Sequence, residues 1–186
     1  VVLRVPFVNK EFRKEIKKIV QKRKDFEYSM NADGLTKNEV LAYIKYEIAV
    51  DPVRRSRKKS LGWRKYSISD YHGNSHIRGI FRRACGRWKE DKSMWYQYID
   101  FCLQSGATKN LQTVVSEALR YHPRETRLWI LSADRELKLG NLNAARNLLQ
   151  RAVRMNESCV KLWNNYFKLE CMASYSMASA KIAKVG

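Results

Sequence analysis

Three prolines and eight glycines in 186 residues leave few points at which a regular backbone must break, so long helices are permitted. No run of about 18 uninterrupted apolar residues occurs, which excludes a conventional membrane-spanning helix. The opening stretch Val1 to Val8 is too short for a secretory signal, and without an initiator methionine the chain is expected to be a piece of a longer one. The four cysteines, Cys85, Cys102, Cys159 and Cys171, are not closely paired and sit at apolar helical positions. They are expected to be reduced core residues of an intracellular protein. A Gly-rich phosphate loop, a nucleophile elbow and zinc-ribbon spacing are all missing, so the chain is expected to be no enzyme and to need no cofactor. His72 and His76 stand four apart, a spacing that suits a metal only on a helix, but Gly73 and Asn74 between them predict a loop. No ligand cluster completes the set, and no metal site is expected.

Acidic residues are also scarce. Lys and Arg number 37 against 18 Asp and Glu, a formal charge of +19 that favours a polyanionic partner. Residues 1–93 hold 24 of the cations against 11 acids, so the electrostatic bias lies mostly in the first half.

What is present is a period. Trp95, Trp129 and Trp163 stand 34 residues apart, and Ala84, Ala118 and Ala152 keep the same offset, as do Met94, Leu128 and Leu162. A fixed period of this size marks stacked supersecondary units. Each unit holds two helical patterns. The first starts at the Trp, as in Trp95, Tyr98, Ile99 and Cys102, or Trp163, Tyr166, Phe167 and Leu169. The second reads Leu111, Val114, Val115, Ala118 and Leu119; it recurs as Ala145, Leu148, Leu149, Ala152 and Val153, and as Ile77, Ile80, Phe81, Ala84 and Cys85. The small Ala lets two helices approach while the Trp covers the joint, and neither helix can bury its face alone. Gly106, Pro123 and Gly140 punctuate the helices. The fold class is therefore all-α, antiparallel helix pairs stacked as an α-solenoid.

An earlier unit is opened by the capping box Thr36-x-x-Glu39, with Val40 at the Trp position and Tyr43 three residues later. Its second helix is expected from about Ile77, after a basic insertion spanning about 52–72. A preceding basic helix, Lys10 to Met30, is expected to pack through Phe12, Ile16, Ile19, Val20 and Phe26. The expected segments are 1–35 for this helix, 36–93 for the first unit with its insertion, 94–173 for the Trp units, and 174–186 for a tail or partial helix.

An aromatic three residues after the Trp position and Glu at the seventh step, as in Trp163, Tyr166 and Glu170 or Val40, Tyr43 and Glu47, resembles the half-a-TPR (HAT) repeat. A tetratricopeptide repeat would want Gly where Ile99, Ala133 and Phe167 stand. The run Lys22 to Tyr28, then Tyr43 to Glu47, Gly62, Ile80 to Ala84, and Trp88-Lys89 resembles the U3 small nucleolar RNA-associated protein 6 family. That resemblance implies a non-catalytic scaffold in the UtpB subcomplex of the small-subunit processome. It implies support for U3 snoRNA-dependent pre-18S rRNA maturation in the nucleolus, among β-propeller subunits. Cys102 in place of Glu, Ser132 in place of Tyr, and a tail without a clear second helix depart from the pattern. Alternatives are a HAT scaffold of splicing or mRNA 3′-end formation, and a helical adaptor that binds only protein.

The candidate contact residues are cations. Arg54, Arg55, Arg57, Lys58, Lys59, Arg64 and Lys65 fall in a run, Pro52 to Ser69, without an acid and interleaved with Trp63 and Tyr66. Such a run can neutralise phosphates and stack bases, or dock on an acidic protein. Asp51-Pro52 and Gly62 suggest a short helix between them. Arg78, Arg82, Arg83 and Arg87 form a second group expected to face away from the Ile77/Phe81/Ala84 side, free of acids. Tyr43, Trp95, Tyr98, Trp129, Trp163 and Tyr166, with the three alanines, are expected to be repeat core. Glu47, Glu136 and Glu170, one per repeat, are expected to make repeat-specific hydrogen bonds or salt bridges, with Arg135 and Lys138 as local partners.

Overall fold

A computed structural model describes the backbone of residues 10–60, 62 and 68–185, and side chains of 13–60, 62 and 72–175. All regular structure among them is α-helical: α1 (Lys10–Asn31), α2 (Lys37–Ser60), α3 (Ile68–Arg87), α4 (Lys92–Gln104), α5 (Thr108–Tyr121), α6 (Thr126–Lys138), α7 (Leu142–Met155) and α8 (Val160–Val185). Two compact units divide the chain, residues 1–86 and 87–186. Among the described residues no helix is long and apolar enough to cross a membrane.

In the second unit α4 packs on α5, α5 on α6, α6 on α7 and α7 on α8, and α6 also touches α8. Short connections make neighbours antiparallel. Gly106 and Gly140, with φ of +65° and +79°, reverse the chain after α4 and α6, a backbone region that residues with a Cβ enter only at a cost. The alanine register explains the close approach: Ala118 and Ala152 are fully buried, and so is Ala145. Around Trp129 a cluster forms from Ala133, Ala145, Leu149, Ala152, Leu162 and Leu169.

The third Trp unit differs. Position 174, which corresponds to Gly106 and Gly140, is Ser, and α8 runs straight through it to Val185. Trp163 is consequently 47% exposed and Phe167 70%, and Tyr166 is only partly buried. In the two preceding units the second helix covers this face. The expectation of a core Trp163 and Tyr166 is thus corrected: burial needs the facing helix as well as the register.

In the first unit the capping box is present, with the Thr36 amide donating to Glu39 Oε2 at 2.8 Å and the Glu39 amide to Thr36 Oγ1 at 3.3 Å. The α2 helix does not stop at Asp51-Pro52. It continues through Pro52 to Ser60, so the basic run is the C-terminal half of one 24-residue helix and not a separate short one. Likewise α3 starts at Ile68, nine residues ahead of the expected start, and carries His72 to His76 on a helix rather than a loop. The reason is local crowding. A Cβ at Gly73 would lie 2.9 Å from Asp51 Oδ1, so glycine sits mid-helix because α2 passes too close for a side chain. On α1, Ile16 and Val20 are 42% and 45% exposed, which leaves Met30 buried and Ile19 and Phe26 half-buried; Phe12 lies outside the described side chains. Cys85 and Cys102 are buried, whereas Cys159 is partly exposed and Cys171 exposed, so the expectation that all four are core residues fails for the last two.

Candidate functional site

The most regular feature of the structure is a set of polar bonds that link the first helix of a unit to the helix before it. Each acts at a fixed offset. Glu47 accepts from Arg23 Nε and Nη2, both at 2.7 Å. Glu136 accepts from Gln112 at 2.7 Å, and Glu170 from Arg146 at 2.7 and 2.9 Å. The donor stands 24 residues before the glutamate in every case. Arg135 and Lys138, the expected local partners, do not take this role; Glu136 is served instead by Gln112 and Asn141, while Arg135 donates to the Thr108 carbonyl. The 24-residue spacing was present in the sequence and is the signal that sequence reasoning missed.

A second fixed bond belongs to the tryptophans. The indole N–H of Trp95, Trp129 and Trp163 donates to the carbonyl six residues earlier, at Lys89, Pro123 and Glu157, at 2.8–2.9 Å. Each ring thus anchors the turn that leads into its own helix, and the polar edge of a buried indole is satisfied. Trp95 stacks on Tyr121 and Trp129 lies under the Arg151 guanidinium, 5.9 Å from the ring centre. Trp95 and Trp129 are packing elements, not open stacking platforms. His122, not singled out from the sequence, is buried and bonds to the Lys89 carbonyl at 3.0 Å.

In the first unit α1, α2 and α3 enclose a cleft of about 420 Å³ lined by Lys24, Glu47, Asp51, His72 and His76 among others. At its inner wall Tyr43 donates to Glu27 Oε1 at 2.9 Å and lies 2.9 Å from His76 Nε2. With its hydroxyl proton given to the carboxylate, Tyr43 accepts from His76, which sets the tautomer. Phe26 stacks on Tyr43 at 4.7 Å. Burial, then the Glu27 carboxylate, pushes the Tyr43 hydroxyl far above the ordinary phenol range. Glu27 also takes Arg83, at 2.8 and 2.9 Å, and this bond holds its carboxyl below the usual range. No group of three possible metal ligands occurs among the described residues.

Burial lowers the pKa of His76, against Glu47 and Glu27, which raise it; Arg23 and His72 lower it further. A folded value below the unfolded one means that the stabilisation is complete above about pH 6.5 and is lost as pH falls through the lowered value. The urea midpoint is therefore expected to fall between about pH 7 and pH 5 more steeply in the parent chain than in His76→Gln. Equal slopes would show that His76 titrates as it does in water.

The predicted cations fare unequally. Arg54 and Arg55 both pair with Asp51, at 2.9 and 2.6 Å, and Arg57 reaches Glu15 at 3.0 Å. Three arginines of the run without acids are therefore held by two carboxylates outside its own span. Lys59 is exposed, and Lys58, partly exposed, has a partner. Arg64 and Lys65, with Trp63 and Tyr66, lie outside the described residues. In the second group, Arg78 is buried and does not face outward with the others, and Arg83 pairs with Glu27, which corrects the expectation of an acid-free ridge. Arg82 and Arg87 are exposed, and Arg87 lies against the Trp88 ring.

Stacked helix pairs with a Trp anchor, a step-seven glutamate and a bond to the preceding unit define a helical repeat protein of the HAT class. The chain belongs to the HAT-repeat family: the family described as PRP39 N-terminal HAT repeat matches residues 89–185, more than half of its length. Residues 12–78 match the family described as U3 small nucleolar RNA-associated protein 6. Curated relatives carry that same name. The chain is 32% identical over 173 residues to the mouse U3 small nucleolar RNA-associated protein 6 homolog and 33% to the human one, covering 90% of this chain and 28% of each relative. It is 34% identical over 160 residues to the Schizosaccharomyces pombe protein, covering 85% of this chain and 33% of that one. The chain thus spans about a third or less of the relatives it matches.

Proposed function

We propose that this chain is part of a non-catalytic HAT scaffold of the small-subunit processome, within the UtpB subcomplex, that supports U3 snoRNA-dependent maturation of pre-18S rRNA in the nucleolus. The observation that carries this reading is identity of 32–34% across 85–90% of the chain to proteins named for association with U3 small nucleolar RNA. Physical chemistry is consistent with it. Stacked helix pairs offer long side-by-side faces for partners, and a charge of +19 suits an assembly built around RNA. The partners would be other processome proteins, β-propeller subunits among them, with U3 or precursor rRNA as the polyanion.

The match of residues 89–185 to the PRP39 repeat supports a second reading, a HAT scaffold of splicing. Purification of the tagged full-length protein from nuclear extract separates the two. U3 RNA and β-propeller proteins are expected to co-purify in excess over spliceosomal RNAs. Enrichment of spliceosomal RNA instead would replace the first reading by the second, and enrichment of protein alone would leave a protein-binding adaptor.

A further inference from the structure

We infer that the outward face of α1, rather than the basic half of α2, is the RNA-backbone contact of the first unit. The inference rests on the ribonucleoprotein reading above and adds the surface and the kind of contact. Three acidic side chains of α1 are described; two of them, Glu15 and Glu27, are bonded to other helices, and Asp25 alone is exposed on the outer surface. Glu15 pairs with Arg57 of α2, Glu27 holds Arg83 and Tyr43, and Asp25 accepts from Gln21 at 2.9 Å. Arg13, Lys14, Lys17, Lys18 and Lys24 are exposed and have no carboxylate partner among the described residues. At 100° per residue, Lys14, Lys17, Lys24 and Tyr28 fall on the side opposite the buried Met30 and half-buried Phe26, with Lys18 at the flank. From Arg13 to Tyr28 this face runs about 22 Å, long enough to follow several phosphates.

On α2 the opposite has happened. Three arginines there are tied to Asp51 and Glu15, so a phosphate would have to displace a carboxylate that is already in place. Among the described residues no carboxylate holds Lys14, Lys17, Lys18 or Lys24.

Chemistry favours RNA over an acidic protein. Tyr28 is 82% exposed at the end of the lysine face, where an unpaired base can stack on its ring. Protein docking sites are organised around buried aliphatic or aromatic anchors. Of the exposed aliphatics of α1, Val20 lines the cleft beside Lys24, and at 100° per residue Ile16 and Val20 both fall at least 60° from the line of Lys14, Lys17 and Tyr28.

The test is fluorescence anisotropy of a labelled single-stranded oligouridine with the 186-residue chain across a salt series. In Lys14→Gln/Lys17→Gln/Lys24→Gln, the slope of log affinity against log salt is expected to shrink by about 2, three lost contacts at about 0.7 each for a single strand. Tyr28→Ala is expected to weaken binding about tenfold with the slope unchanged. Arg54→Gln/Arg55→Gln/Lys59→Gln should change affinity less than twofold. All sites are on helix surfaces, and circular dichroism confirms that each variant is folded. If only the α2 variant loses binding, the inference is overturned while the scaffold reading stands. If the α1 triple variant loses poly-glutamate binding equally and Tyr28→Ala is silent, the face is a site for acidic protein and the RNA assignment is overturned. If the parent chain does not bind the oligouridine, the inference again falls, and purification of the full-length particle decides the scaffold reading separately.

Discussion

Trp129→Ala is expected to lower the unfolding free energy by about 3–5 kcal/mol, the range for truncating a buried large aromatic. Three losses combine. The ring is 4% exposed within the cluster formed by α6, α7 and α8, so its removal opens a cavity against Ala145, Leu149 and Leu162. The Pro123 carbonyl loses its 2.8 Å donor, and the turn into α6 loses its anchor. The Arg151 guanidinium loses the ring face beneath it. Trp163→Ala, at the same register, is expected to cost only about 1 kcal/mol, because a half-exposed ring forfeits about half of the 1.5–3 kcal/mol of transfer free energy. Urea midpoints read by far-UV circular dichroism measure both. Equal effects at the two sites would show that the register, and not the covering helix, sets the burial.

Arg23→Ala should come next in size. It strands the Glu47 carboxylate, 2% exposed, without its two hydrogen bonds. Breaking a fully buried pair from one side costs about 3–5 kcal/mol. The Arg23 side chain is 41% exposed, so water screens part of the interaction and about 2–3 kcal/mol is the expected loss. The double variant Arg23→Met/Glu47→Met should recover most of that loss, since no unpaired charge remains in it. If the double variant were as unstable as Arg23→Ala, the damage would come from packing and not from the uncompensated carboxylate. The equivalent pair Arg146 and Glu170 should be weaker, because Glu170 is itself 35% exposed.

Much of the helical organisation was legible. A 34-residue spacing of Trp and Ala states that two amphipathic helices must stack, and helical periodicity follows from side-chain geometry within a few turns. Stop positions at Gly106 and Gly140 were legible for the same local reason: a φ above zero favours glycine. The site was less legible. The carboxylates that neutralise Arg54, Arg55 and Arg57 lie outside the run, at Asp51 and at Glu15, the latter 42 residues before Arg57. A charge count along the chain misses Glu15 because it lies on another helix, and it misses Asp51, three and four residues before Arg54 and Arg55, because Pro52 reads as a helix start although α2 runs through it. Gly73 misled for a related reason, because glycine next to His72 reads as a break until Asp51 is seen against it.

The sequence by itself determined that this protein is a stack of helix pairs with indole anchors, because period and propensity are properties of neighbours along the chain. Only the tertiary structure decided which charges remain available and which tryptophan is covered. Ion pairing and burial depend on what arrives from another helix, and in α1 Glu15 and Glu27 are drawn to arginines of α2 and α3 rather than to its own lysines.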